Sequence, residues 1–376
     1  MFTMVSALAI AAAACTSSGG AATDAASSSG GGPGTAGGGG SGGQGPGGGS
    51  GGGSGNAGAL GGNPGTGGIS GLGGSAGTGG GAGSDAALPP AFTFTRQGST
   101  QFLYEGVWGS GPNDIYAVGT PSRIAHSTGD GVWTGQTANT PSELDGIWGS
   151  GPNDIYVSVV SNFVLHSTGN GVWEHQATYA GSTFRGVWGS GPGDVYVVGP
   201  GALHSTGNGV WSTTRQVVAD GAAFAIWGTS ATNLYIANSS GNRTNTIFHS
   251  TGDGLWRPQT TPQGTEAQTI WGADASHLYA GAWNVLLFST GDGVWTQQLT
   301  TPLSFDRITA IWGTGPDAVY ACTERGYFFR SDGRGHWSAP ELIDATANTL
   351  GCYALWGTST GNIYLGTSFG MYHGGN

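Results

Sequence analysis

GVWGSGPNDIY, Gly106–Tyr116, returns forty residues later as GIWGSGPNDIY, Gly146–Tyr156, with Val107 exchanged for Ile147 as the only difference. A Trp, a Gly-Pro turn, an acid and a Tyr would suit a compact binding site if the phrase stood alone. It does not. Trp-Gly, a few turn residues, an aliphatic and a Tyr recur seven times, on Trp108, Trp148, Trp188, Trp227, Trp271, Trp312 and Trp356. The Trp intervals are 40, 40, 39, 44, 41 and 44, and the matching Tyr always follows eight residues after its Trp. Such self-similarity marks a repeat architecture.

A second phrase lies between the first ones: HSTGDGVW at His126–Trp133, HSTGNGVW at His166–Trp173, and related copies ending on Trp211, Trp256, Trp295 and Trp337. Of the 14 Trp residues only Trp283 stands outside the two patterns. Each unit reads as four short strands separated by turn signals, here labelled A to D, as in TFRGVWG, DVYVVG, ALHSTG and VWSTTRQ of the third unit. Helical apolar periodicity is absent. Seven four-stranded units predict an all-β fold, a seven-bladed β-propeller.

The chain ends carry the closure. Unit seven has strands A, B and C but stops at Asn376 before a strand D. Ala91–Gln97 (AFTFTRQ) aligns with Val210–Gln216 (VWSTTRQ), placing Phe92 where a strand D Trp is due. The N-terminal strand is therefore expected to complete the last blade, which removes an exposed sheet edge.

Ser-Thr-Gly-Asp-Gly-Val-Trp resembles the Asp-box, or BNR, motif of sialidase-type propellers, Ser-x-Asp-x-Gly-x-x-Trp, one residue shorter. Its acid is replaced by Asn170, Asn208 and Arg334 in three copies. Whole units, from Phe92 to Asn376, resemble the propeller repeats of secreted bacterial lipoproteins, and more distantly those of photosystem II assembly factors. The resemblance implies the fold and assigns no activity, because Asp-boxes are turn motifs remote from the sialidase active site. That family also uses six blades, three Arg and a Tyr/Glu pair, whereas seven units stand here and no motif assigns an Arg triad. A glycosidase needs two carboxylates at a fixed separation, and loop acids such as Glu143, Asp145, Glu324 and Glu341 establish none. No catalytic residue and no cofactor are expected.

Composition divides the chain into three domains. Residues 1–15, MFTMVSALAIAAAAC, read as an export signal too short to span a bilayer, and its end, Ala12–Cys15, is lipobox-like, making Cys15 the expected lipidation site. Residues 16–87 are Gly, Ser, Ala and Thr with few large apolar side chains, and read as a disordered tether. At roughly 70 residues it spans about 45–50 Å r.m.s.. Residues 88–376 form the propeller, with 10 Arg, no Lys and 19 acids, a formal charge of −9. That balance argues against a nucleic-acid groove. The expected product is exported and lipid-anchored at a bacterial outer membrane or cell surface, otherwise secreted, touching membrane only through its anchor, with a monomeric propeller.

Repeated residues serve the fold. The Trp and Tyr of both phrases are expected to pack between blades rather than form exposed ligand platforms. His126, His166, His204, His249 and His373 share one strand C position, too far apart around the ring to converge on a metal. Cys322 and Cys352, in adjacent blades, can face each other and pair in an exported protein.

Antiparallel strands put the repetitive A–B and C–D turns at one end and the varied B–C and D–A loops at the other. Binding is therefore expected at the varied end. The candidate residues there are Trp283, Asn284, Phe163, Asn162, Tyr179, Arg185, Arg243, Arg307, Arg325 and Phe369. Trp283 leads because the repeat does not require it. The expected function is a non-catalytic binding module for a glycan or a protein. The alternatives are an assembly scaffold for an envelope protein complex and, behind it, a sialidase-like hydrolase.

Overall fold

In a computed structural model, residues 88–99, 101–178, 183–213, 222–239, 246–347 and 350–375 are described. The chain divides into two units at Gly58/Ala59, and all of these residues belong to the second. The export signal, Cys15, the whole Gly-rich tether, Tyr179 and Arg243 lie outside the described residues.

The described residues form seven four-stranded antiparallel sheets and no helix. In blade one the strands are Leu103–Gly111 (A), Asp114–Thr120 (B), Arg123–Ser127 (C) and Thr134–Thr137 (D). Blades two to six repeat this order through Glu341–Leu342. Blade seven takes A, B and C from Cys352–Ser359, Asn362–Thr367 and Gly370–Gly375, and its strand D from Thr93–Gln97. The closing pair runs antiparallel from Thr93 opposite Gly375 to Gln97 opposite Met371. Phe92 fills the Trp place, with its ring 5.5 Å from Tyr320 of blade six at 73°. The same edge-on contact joins Trp133 to Tyr364, Trp173 to Tyr116 and Trp211 to Tyr156.

Apolar clusters fill the spaces between blades. One joins Trp108, Tyr116 and Ile124 of blade one to Leu144, Ile155 and Trp173 of blade two. The Trp-Gly pair explains how closely the blades approach at the A strands. A Cβ added to Gly109, Gly149, Gly189, Gly228, Gly272, Gly313 or Gly357 would lie 2.5–2.9 Å from the strand A Trp of the preceding blade. Each indole is thus seated on the next blade's glycine, and Trp356 on Gly109 closes the ring. Strand D adds a polar tie: the indole N–H of Trp133, Trp173, Trp211 and Trp337 donates to Gln97, Gln136, Gln176 and Gln298 of the preceding strand D.

The turns follow from their own residues. Asp130 Oδ1 accepts the Val132 N–H at 2.9 Å, and Asn170 and Asn208 accept the equivalent N–H, so Asp and Asn exchange freely. Where Arg334 replaces the acid, Asp332 accepts the N–H of Arg334 and His336 instead. Gly129 has φ +81°, and a Cβ there would meet the Pro112 carbonyl at 2.2 Å, so the C–D turn sits on the A–B turn of its own blade. Both repeated turns therefore share one end.

The repeated histidines have a partner that the sequence reading did not assign. His126, His166 and His204 donate from Nε2 to Asp114, Asp154 and Asp194 at 2.8–2.9 Å, while His249 and His373 donate to Asn233 and Asn362. Ser110, Ser150 and Ser190 donate to the other oxygen of the same Asp. The order Ser–Asp–His puts the carboxylate in the middle, so no imidazole can take the serine proton. Cys322 of blade six and Cys352 of blade seven form a disulfide across the blade boundary, with Cα atoms 5.9 Å apart.

Candidate functional site

Strand A lies innermost in each blade, and in five blades it carries a bulge at the B–C/D–A end. The pairing register shifts between Tyr104 and Gly106, Leu144 and Ile147, Ala223 and Ala225, Ile308 and Ala310, and Cys352 and Ala354. Bulges re-aim one side chain out of the alternating pattern. The residues so released stand three before each Trp: Glu105, Asp145, Phe224, Thr309 and Tyr353. Arg185 and Gln268 hold the same place just ahead of strands Gly186–Gly191 and Thr269–Asp274. All seven are half-buried.

These side chains meet across blade boundaries. Arg185 Nη1 donates to Asp145 Oδ2 at 3.0 Å, and its guanidinium lies 5.3 Å from the Phe224 ring centre. Arg307 donates to Gln268 at 2.5 Å and pairs with Glu324 at 3.1 Å. Its guanidinium also stands 5.3 Å from the Trp283 ring centre. Burial, with the neighbouring carboxylates of Asp145 and Glu143, pushes the Glu105 carboxyl up to about 7. Burial pushes Asp145 up to about 6 against the pull of Arg185 and, more weakly, Arg307. The mouth is therefore acidic over blades one and two, and cationic at Arg185 of blade three and Arg307 of blade six.

Raised carboxyl pKa values have a consequence for stability. From about pH 4, where unfolded carboxyls titrate, to about pH 7, the folded chain holds more protons at Glu105 and Asp145 than the unfolded chain. Their contribution to stability falls as pH rises through that window. The melting-temperature difference between pH 5 and pH 8 is expected to shift in favour of pH 8 in Glu105→Gln. An unchanged difference would mean that Glu105 is solvated.

The sequence-derived candidates divide. Arg185 and Arg307 join the mouth. Trp283 is 36% exposed beside Arg307. Asn284, at φ 64°, accepts the Asp306 N–H on its Oδ1 and pairs through its backbone with Asp306 and Thr301, so its polar groups shape the D–A loop. On that loop Phe305, with φ 60°, is 73% exposed, a platform the sequence reading passed over. Phe163 is buried at 9% and stacks on His175 at 4.1 Å, within the core between blades one and two. Asn162 accepts from Ser161 Oγ at 3.2 Å. Arg325 and Phe369 are exposed on the B–C turns of blades six and seven. Among the described residues no three His, Cys, Asp or Glu side chains gather as a metal site.

At the opposite end, the seven strand A indoles, with the residues that follow Trp108, Trp227, Trp271, Trp312 and Trp356, bound a cavity of about 450 Å³. The indoles of Trp148, Trp188, Trp227, Trp271 and Trp312 remain half-exposed despite their seats on glycine. Packing and cavity lining, read as alternatives from sequence, are performed by the same side chains.

Together these features define a seven-bladed β-propeller with a blade-specific polar mouth at one end of its axis and an aromatic well at the other. Solved propellers share the fold. YCF48 from Cyanidioschyzon merolae superposes with a TM-score of 0.62 at 14% identity over 76% of this chain and 98% of its own. YCF48 bound to D1 peptide gives 0.61 at 14% over 78% and 99%. Virginiamycin B lyase from Staphylococcus aureus gives 0.66 at 15% over 76% and 100%. No family model matches the chain, and no curated protein matches it by sequence. At such identities the likeness shows the fold, which serves a peptide complex in one case and a lyase in another.

Proposed function

We propose that this chain is a non-catalytic binding module, exported and held at the cell surface through Cys15, whose propeller takes a segment of an envelope or extracellular protein at the B–C/D–A mouth. The ring three residues before each Trp carries this reading. Strand A otherwise repeats from blade to blade, yet these positions read Glu, Asp, Arg, Phe, Gln, Thr and Tyr. Seven different side chains around one axis give a ligand a single orientation. Acids on one side and Arg185 and Arg307 beyond them complement a peptide bearing both charges. Trp283 and Phe305 add apolar anchors of the kind that carry interface energy. YCF48 bound to D1 peptide is a precedent for the fold taking a peptide. An assembly scaffold would use the same mouth.

One observation favours a hydrolase: Glu105 and Asp145 are two neighbouring acids with raised pKa values. The test joins both readings. Partners cross-linked to the full chain are identified and mapped as overlapping peptides. Arg185→Ala and Trp283→Ala are expected to raise the peptide Kd at least tenfold. Unaltered Kd values in both variants would overturn the mouth as the site. Turnover of model glycosides by the native chain, lost in Glu105→Gln, would overturn the absence of catalysis.

A further inference from the structure

We propose that the aromatic well at the A–B end is a second binding site, taking a neutral sugar of one or two rings. Its volume of about 450 Å³ lies within the range of small-ligand pockets, roughly 300–1,000 Å³. No charged side chain lines it; the wall is indole, glycine backbone, Pro112, Ala273 and the hydroxyls of Ser110, Thr229, Thr314 and Thr358. An ionic ligand would lose its hydration there without gaining a counter-charge.

The walls are preorganised. Every indole is wedged on the glycine of the next blade, so binding orders no side chain and saves that entropy. Five half-exposed indoles leave apolar surface facing the cavity, matched to the C–H faces of a pyranose.

The hydroxyls separate a sugar from a plain hydrocarbon. Ser110 gives its proton to Asp114 at 2.5 Å, so it offers lone pairs to the well. In blades four and seven the Asp is replaced by Asn233 and Asn362, whose Nδ2 groups donate to Thr229 and Thr358 at 2.8 Å. Those two threonines keep their own O–H free to donate. The Asp-to-Asn exchange thus reverses hydrogen-bond polarity on part of the ring. The well presents an acceptor at blade one and donors at blades four and seven, the combination that sugar hydroxyls, being both donors and acceptors, satisfy. A hydrocarbon would leave these groups unpaired.

The full chain is titrated with glucose, galactose, mannose, N-acetylglucosamine, cellobiose and lactose, followed by intrinsic Trp fluorescence and calorimetry. At least one is expected to bind with a fluorescence change. Thr229→Val/Thr358→Val should raise its Kd at least tenfold. Ala273→Phe, which fills the well and leaves every lining hydroxyl in place, should abolish binding. Arg185→Ala at the other mouth should leave it unchanged, which keeps this result distinct from the peptide site. No binding by any of the six at 10 mM (roughly the weak end of ligand recognition), or binding indifferent to Ala273→Phe, would overturn the proposal.

Discussion

Removal of residues 88–98 is expected to lower the melting temperature by roughly 8 °C, the counterpart of about 5 kcal/mol in a domain of this size. The loss comes from four sources. Thr93–Gln97 gives up its antiparallel pairing with Gly370–Gly375. Phe92 leaves Tyr320 and Phe328, and Phe94 leaves Phe328 at 4.9 Å. Trp133 loses the Gln97 acceptor that ties blade one to blade seven, and Arg330 loses the Pro89 carbonyl. Strand Gly370–Gly375 then becomes an open edge, so the truncated chain should also self-associate. Scanning calorimetry with light scattering checks both effects, and a synthetic 88–98 peptide added in trans should recover part of the transition. A melting curve unchanged by truncation would mean that the ring does not depend on this strand.

That closure was legible because one phenylalanine stands in a tryptophan's place with the strand D motif around it. The Trp-Gly and Tyr spacings likewise gave blade number, strand order and the repetitive end, since each copy must solve the same packing problem against its neighbour. A further signal lay unused. Where strand B opens on Asp or Asn, strand C carries His; where it opens on His277 or Ala318, strand C carries Phe288 or Arg330. His126 lies opposite Tyr116, so Asp114, two residues before Tyr116, is its diagonal neighbour on the same sheet face, and the two positions change together.

The mouth was harder to read, for a physical reason. Strict alternation would put Glu105 on the same sheet face as Val107, but the bulge at Tyr104/Gly106 breaks the period and releases its side chain. A sequence shows the unusual variability three residues before each Trp without showing where that residue points. The surroundings of the loop candidates were hard to read for a related reason. Asn284 and Phe163 looked available because their partners, Asp306 and His175, come from other segments whose approach only the fold decides.

The two glycines of one hairpin give the sharpest test of the joint. Gly189→Val is expected to cost about 3 kcal/mol and lower the melting temperature by roughly 5 °C, with Gly189→Ala costing about half as much. A Cβ at Gly189 would stand 2.5 Å from Trp148 Cη2 and 2.6 Å from the Asp194 carbonyl oxygen, so neither direction offers relief. Gly191, two residues on, has nothing within 4 Å of its Cβ position, and Gly191→Ala should fall within about 0.5 kcal/mol of the native chain. The indole's share of the clash is separable. Trp148→Ala alone opens a gap between blades two and three and should itself cost about 3 kcal/mol or more. Combined with Gly189→Val, the loss should be smaller than the two single losses together, by 1 kcal/mol or more, because the valine then enters the space the indole left. Strictly additive losses would place the strain at the Asp194 carbonyl within blade three. The Trp-Gly pair would then be a hairpin device and not the contact that holds neighbouring blades in register.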